Sequence, residues 1–218
     1  MDEFKKDPMT WSVPMGRWFG IRVRISLIFV IFLLFQLLQD STKYGWQGFS
    51  FTLKWECILF FSVLLHEFGH CFAARAVGGS AEEILMWPLG GLAYVAAPNT
   101  ARAQFITTVC GPLVNVGICL VTGAVILYSR EIPPVNPLHP DRLLHLPGSL
   151  IQHEDAPEWL YWIGLTFGLN WINVLFNVCI PAFPMDGGRM FRCVLWPYLG
   201  FARATQWAVQ VAKVCAMG

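Results

Sequence analysis

Apolar residues dominate five long runs of this chain, and polar or Pro- and Gly-rich segments separate them. The runs cover about 18–38, 55–77, 101–128, 158–180 and 201–218. A helix needs about 20 residues to cross the hydrocarbon core of a bilayer, so this pattern predicts about five transmembrane helices. The last run barely reaches that length and ends without a polar flank, which is consistent with a core fragment of a longer protein.

The pattern changes between 80 and 100, where no run is long enough to span a bilayer. Residues 84–86 and 92–95 are short apolar stretches on either side of Pro88 and the Gly90-Gly91 pair. Short apolar stretches around a Gly-rich turn predict two strands. The expected fold class is an all-α multi-pass membrane protein with a short β-hairpin between its second and third spans.

The composition agrees with a lipid environment. Hydrophobic residues make up 56% of the 218 residues and charged residues only 13%, with a mean hydropathy of +0.52. That much apolar surface exceeds what one soluble core buries, so the lipid bilayer is an expected partner. The formal net charge of +1 is spread along the chain, which argues against nucleic-acid binding. The seven cysteines include no C-x-x-C pair, and we interpret them as small buried side chains.

Basic residues predict the orientation. If the tail, the 78–102 segment and the 184–203 segment share one side, that side and the span ends next to it hold ten Lys and Arg residues against four on the other, with Lys213 in the last run left out. Cytoplasmic loops carry the excess of positive charge, so we expect an integral protein of a bacterial inner membrane with a cytoplasmic amino terminus. The expected organisation is one domain, 1–218, with a cytoplasmic tail (1–17), a catalytic core (55–192) and an extracytoplasmic loop (130–157).

The second apolar run contains the motif H-E-x-x-H. His66 and His70 are four residues apart, so a helix places both imidazoles on one face, where they can bind one Zn²⁺. Glu67 then stands beside the metal, where it can take a proton from water. An accidental motif would have to explain ionisable groups inside a hydrocarbon span, where each charge costs about 2.5 kcal/mol or more.

A third ligand is predicted at the end of the fourth run. Pro181 and Pro184 break the helix there, and Asp186 follows directly, before Gly187. The second and fourth spans run in the same direction, so Asp186 is expected at the depth of His70. Two histidines and one carboxylate leave the fourth tetrahedral position open, as in catalytic zinc sites. The alternative for Asp186 is a helix-capping carboxylate.

Three blocks of the sequence resemble the site-2 protease family of intramembrane zinc metalloproteases. They are 66–70, the segment G-P-L-V-N at 111–115, and 177–188 with its prolines and Asp-Gly pair. The resemblance implies that His66, His70 and Asp186 bind one Zn²⁺ and that Glu67 is the general base. It also implies that Asn115 and Asn177 orient the substrate or the developing oxyanion.

One feature departs from the family pattern, in which the second asparagine commonly stands three residues before the first proline. Asn177 stands four residues before Pro181, which rotates it by about 100° on a regular helix. Asn173, one turn earlier, is a possible hydrogen-bonding neighbour on the same face. For Asn115 and Asn177 alike, a hydrogen bond that only joins helices stays open.

The expected function is an intramembrane zinc endopeptidase that hydrolyses peptide bonds within or near a transmembrane segment of single-span membrane-protein substrates. The edge of the predicted hairpin could pair with an unwound substrate, or the hairpin could merely cover the site. Three rivals are a zinc transporter or channel, a catalytically inactive scaffold, and a membrane peptidase whose third ligand is a glutamate. The oligomeric state stays open.

Overall fold

The structure, a computed structural model, describes residues 11–88, 90–130, 157–181 and 185–217. Most of the predicted 130–157 loop and the first ten residues lie outside these ranges. Within them the protein is mostly helical and carries a small sheet. The chain divides into two compact units, Met1–Pro98 and Asn99–Gly218.

The first unit contains a four-stranded sheet. Its strands are β1 (Ser12–Trp18), β2 (Ile21–Ser26), β3 (Ser80–Trp87) and β4 (Gly90–Ala96), in the spatial order β1-β2-β3-β4. The central pair β2–β3 is parallel and the two outer pairs are antiparallel. The β3–β4 pair is the hairpin that the sequence predicts, extended at both ends.

The strands β1 and β2 correct the prediction of an all-α fold whose first span is 18–38. The sequence I-R-V-R-I at 21–25 alternates apolar and basic residues, which is typical of a half-buried strand. Ile21 and Val23 are fully buried, whereas Arg22 and Arg24 lie 3.5 and 3.4 Å from the carboxylate of Glu83 on β3. Pairing with β3, about 60 residues away in sequence, stabilises a strand where the hydropathy alone favours a helix.

The helix α1 (Leu27–Ala76) follows β2 and folds back on itself near Gly45. Gly45 has φ 62° and ψ −147°, which no helix contains. The Nε2 of Gln36 donates to Glu56 Oε1 at 2.9 Å, although a straight helix would hold these residues about 30 Å apart. Thr52 likewise donates to Asp40. The helix therefore consists of two antiparallel limbs, 27–44 and 46–76.

The sheet packs on the second limb of α1. Leu64, Phe68 and Cys71 recur at helical spacing along one face and are buried against the strands. The strands contribute the other buried members of this core, which are Ile21, Val23, Ala81, Ile84 and Met86. This packing fixes the part of α1 that carries the H-E-x-x-H motif.

The second unit contains four helices among the described residues. They are α2 (Ala101–Tyr128), α3 (Glu158–Cys179), α4 (Asp186–Leu199) and α5 (Phe201–Met217). The predicted bounds of the third and fourth runs agree with α2 and α3, and α2 contains Pro112 within its length. Among the described parts of the chain, three helices are long and apolar enough to cross a membrane, namely α1, α2 and α3.

The six cysteines whose side chains are described form no disulfide with one another. Cys71, Cys119 and Cys193 are buried, Cys110 is half-buried, and Cys57 and Cys179 are exposed. Burial raises the pKa of the Cys193 thiol, so this side chain stays protonated at neutral pH. The expectation of small buried side chains therefore holds for three of them.

Candidate metal centre

The two histidines of the motif lie one turn apart near the end of α1. His66 and His70 are both buried, and their Nε2 atoms approach to 3.1 Å. Ligand atoms that share one zinc ion at about 2 Å lie roughly 3–4 Å apart. The two imidazoles therefore present their nitrogens to a common point, as the i, i+4 spacing predicts.

Asp186 begins helix α4, directly after the broken end of α3. The residue in the N-cap position is Met185, so the carboxyl group of Asp186 belongs to the first turn and is not the cap. A negative charge is stabilised there by the helix dipole. A Cβ at Gly187 would lie 2.5 Å from the carbonyl oxygen of Ile180, so only glycine lets the chain turn this closely beside the aspartate.

His66, His70 and Asp186 form a group whose ligand atoms all lie within 4.8 Å of one another. All three side chains are at least nine-tenths buried. Two imidazoles and one carboxylate are a donor set that zinc takes in catalytic sites, so the residues fit one Zn²⁺. Among the described residues this is the only group of three or more such side chains.

Glu67 stands between the two histidines in sequence and packs against strand β4. The backbone N–H of Ala93 donates to Glu67 Oε2 at 3.0 Å. The carboxyl group is buried, so this hydrogen bond lowers the cost of holding a negative charge away from water. Main chain of the sheet therefore helps to hold Glu67 in place.

Asn115 is paired with a residue that the sequence analysis did not select. Its Nδ2 donates to Asn170 Oδ1 at 2.7 Å, and both side chains are fully buried. Asn170 in turn donates to the carbonyl oxygen of Thr166. The signal for Asn170 was present as a polar stripe along α3, in which Asn170, Asn173 and Asn177 recur at helical spacing.

Asn177 lies at the end of α3, and its Nδ2 donates to Asn173 Oδ1 at 2.7 Å. The expected neighbour one turn earlier is thus its hydrogen-bond partner. The structure brings together the three predicted ligands. Glu67 directly follows His66 on the helix that carries both histidines. The roles of Asn115 and Asn177 at a substrate stay predictions.

An H-E-x-x-H motif with a carboxylate as the third ligand is typical of zinc metallopeptidases. The sequence model of Peptidase family M50 matches residues 56–218, most of the chain. The chain therefore belongs to peptidase family M50.

Comparisons with a sequence and with a solved structure from Methanocaldococcus jannaschii support this membership. The zinc metalloprotease MJ0392 is 28% identical over 213 residues, which cover 96% of this chain and 53% of that protein. The solved structure of a site-2 protease from the same organism is similar with a TM-score of 0.61 and 27% identity, covering 95% of this chain and 82% of that one. The chain spans about half the length of the curated relatives it matches.

Proposed function

We propose that this chain is an intramembrane zinc endopeptidase of the site-2 protease type. The observation that carries the proposal is the buried group of His66, His70 and Asp186 next to Glu67, in a chain whose described residues include three candidate membrane spans. Ionisable residues inside spans are costly and mark functional sites. Membership of family M50 supports a peptidase rather than a transporter.

Each site residue has a role in the proposed mechanism. His66, His70 and Asp186 bind one Zn²⁺, which when bound makes water more acidic and polarises a peptide carbonyl. Glu67 accepts the proton of the attacking water at one carboxylate oxygen and returns it to the leaving nitrogen. Asn115 and Asn177 remain candidates for orienting the substrate, although each amide donates to a neighbouring asparagine.

The proposed membrane topology follows from α1. A straight helix of its 50 residues would be about 75 Å long, far more than the roughly 30 Å hydrocarbon core. Each limb therefore crosses the membrane once, and α2 and α3 supply two further crossings. Both ends of α1 join the sheet, which we place with the amino terminus on the cytoplasmic side of a bacterial inner membrane.

This topology places the motif in the inner half of the second limb. Glu67 is nine residues from Ala76, or about 14 Å from the cytoplasmic end of the helix. Water reaches the carboxylate from that side. The proposed substrates are single-span membrane proteins, because a peptide bond must enter the membrane to reach this depth.

The rival functions make different predictions for the described residues. A zinc transporter would be expected to carry several ligand groups along a path, whereas the described residues contain one such group. In the alternative peptidase the third ligand is a glutamate, whereas Asp186 completes the group in this chain. An inactive scaffold is separated from an enzyme only by experiment.

The test compares the membrane proteomes of cells that produce the wild-type chain or its Glu67→Gln variant. We expect fragments of single-span proteins, with new termini inside or beside the span, only in the wild-type cells. The Glu82→Gln variant is the matched control, because Glu82 is exposed on β3. Identical fragments in wild-type and Glu67→Gln cells would overturn the proposal.

A further inference from the structure

The strand β4 touches Glu67 at two places. One is the hydrogen bond from the Ala93 N–H to Glu67 Oε2, 3.0 Å long. The other is Gly91, where a Cβ would lie 2.3 Å from Glu67 Cγ and 2.7 Å from Oε1. Real Cβ atoms do not approach other atoms this closely, so the glutamate occupies the space that a side chain at position 91 would need.

The hydrogen-bonding pattern of the sheet leaves this N–H available. Ala93 stands opposite Ile84 of β3, and β4 is the outermost strand on its side of the described sheet. In an antiparallel pair, alternate residues direct both backbone groups away from the partner strand. Ala93 is such a residue, because its N–H bonds to Glu67. The strand thus holds Glu67 without losing a bond to β3.

The side chains of β4 decrease in size toward the glutamate. Val95 and Ala93 lie on the strand face that packs against the core with α1, whereas Leu92 and Tyr94 are exposed. Side chains alternate along a strand, so Gly91 is the next residue on the face of Val95 and Ala93. That face carries valine, alanine and then no side chain, at the point where Glu67 lies.

We propose that Gly91 and the N–H of Ala93 are positioning groups that fix the carboxylate of Glu67 for proton transfer. The inference rests on the proposed function, since it assigns the groups that orient the proposed base. One carboxylate oxygen accepts a hydrogen bond from the main chain, and the contact with Gly91 limits where the rest of the group can lie. Acid–base groups act only within hydrogen-bond reach of the proton they take, and supporting contacts must hold them to about 0.5 Å.

The first experiment adds one methyl group beside the base. Purified Gly91→Ala protein in proteoliposomes is assayed on a fluorescent peptide carrying the segment cleaved in the proteome comparison. We expect kcat to fall by about 10- to 100-fold, because misplacement by about 1 Å costs that much, with KM and zinc per chain unchanged. The matched control is Gly117→Ala, since a Cβ at Gly117 meets nothing within 4 Å; its kcat is expected to equal that of the wild type.

A second variant tests the hydrogen bond. Ala93→Pro removes an N–H that faces away from β3, a position where an edge strand tolerates proline. We expect kcat to fall at least about 10-fold, by the same misplacement of the base, while zinc per chain is retained. An unchanged kcat in both Gly91→Ala and Ala93→Pro would overturn the inference.

A third measurement does not depend on proteolysis. The Tm of the purified protein is measured for the wild type, Gly91→Ala, Glu67→Ala and the double variant. If the added methyl group collides with the glutamate, Gly91→Ala lowers Tm in the wild-type background but much less in the Glu67→Ala background, where the space is empty. Equal losses of Tm in both backgrounds would show that Gly91 and Glu67 are not coupled and would overturn the inference.

These outcomes separate the two proposals. If the wild-type protein cleaves its substrate and Gly91→Ala does so with the same kcat, only the positioning role fails. If the wild-type protein shows no proteolysis that depends on Glu67, the proposed function fails. The Tm measurement still decides whether Gly91 and Glu67 are coupled in that case.

Discussion

Two regions of the molecule bury polar side chains in helices that are candidate spans, and they hold these side chains differently. At the end of α1, Glu67 accepts a hydrogen bond from the main chain of a strand. Between α2 and α3, Asn115 and Asn170 bond to each other through their side-chain amides. The first arrangement presents an acid–base group, whereas the second joins two helices. Burial alone therefore does not identify a catalytic group.

The largest expected effect is the loss of proteolysis when the proposed base is replaced. Glu67→Gln keeps the shape of the side chain and an oxygen that can accept from Ala93, but it removes the proton acceptor. We expect proteolysis to fall by about 10²- to 10⁴-fold, with Tm and zinc content near those of the wild type. A loss of zinc as large as the loss of proteolysis would instead give Glu67 a structural role.

Substitutions in the amide pair of Asn115 and Asn170 are expected to lower the stability of the fold. Asn115→Leu and Asn170→Leu each leave a buried amide without its observed partner, which costs about 1–2 kcal/mol of stability. We expect the double variant to lose less stability than the sum of the two single variants, and the kcat per folded molecule of Asn170→Leu to stay near the wild-type value. Thermal unfolding in detergent, with zinc and activity measured on the folded fraction, checks this.

The same variants test the role that the family resemblance assigns to Asn115. If Asn115 orients the substrate, Asn115→Leu loses kcat while Asn170→Leu does not. Equal behaviour of the two variants supports a helix-joining pair. A loss of kcat in Asn115→Leu alone would group Asn115 with Glu67 as a residue that acts in catalysis, and the contrast between the two regions would fail.

The smallest effect is expected one turn further along α2. Cys119 Sγ lies 3.7 Å from the carbonyl oxygen of Phe167, and a thiol is a weak donor. Cys119→Ala removes this contact and one buried sulfur atom, so we expect a loss of about 1 kcal/mol or less. Thermal unfolding checks the value, and an unchanged kcat groups this residue with the amide pair.

Local spacing made the centre of the site predictable. The i, i+4 histidines need only a helix to converge, and the prolines before Asp186 mark the end of α3 without any knowledge of its neighbours. The bounds of α2 and α3 were predictable for the same reason, since long apolar runs between polar segments leave few other choices. The hairpin at β3 and β4 was visible from its Gly-rich turn.

Contacts between distant segments were not predictable from these patterns. Strand β2 pairs with β3 across the whole of α1, and β1 pairs with β2, although the alternation at 21–25 was a local sign of a strand. The contact of β4 with Glu67 depends on the packing of the sheet on α1, which hydropathy does not encode. Asn170 required knowing which face of α3 meets α2.

Zinc content tests the central claim most directly. The purified wild-type chain and its His66→Ala, His70→Ala, Asp186→Asn and Glu67→Gln variants are loaded with Zn²⁺ and analysed by elemental mass spectrometry. We predict about one zinc per chain for the wild type and Glu67→Gln, and a large loss in each of the three ligand variants. Retention of zinc by the Asp186→Asn protein at the wild-type level and affinity would contradict the site described here.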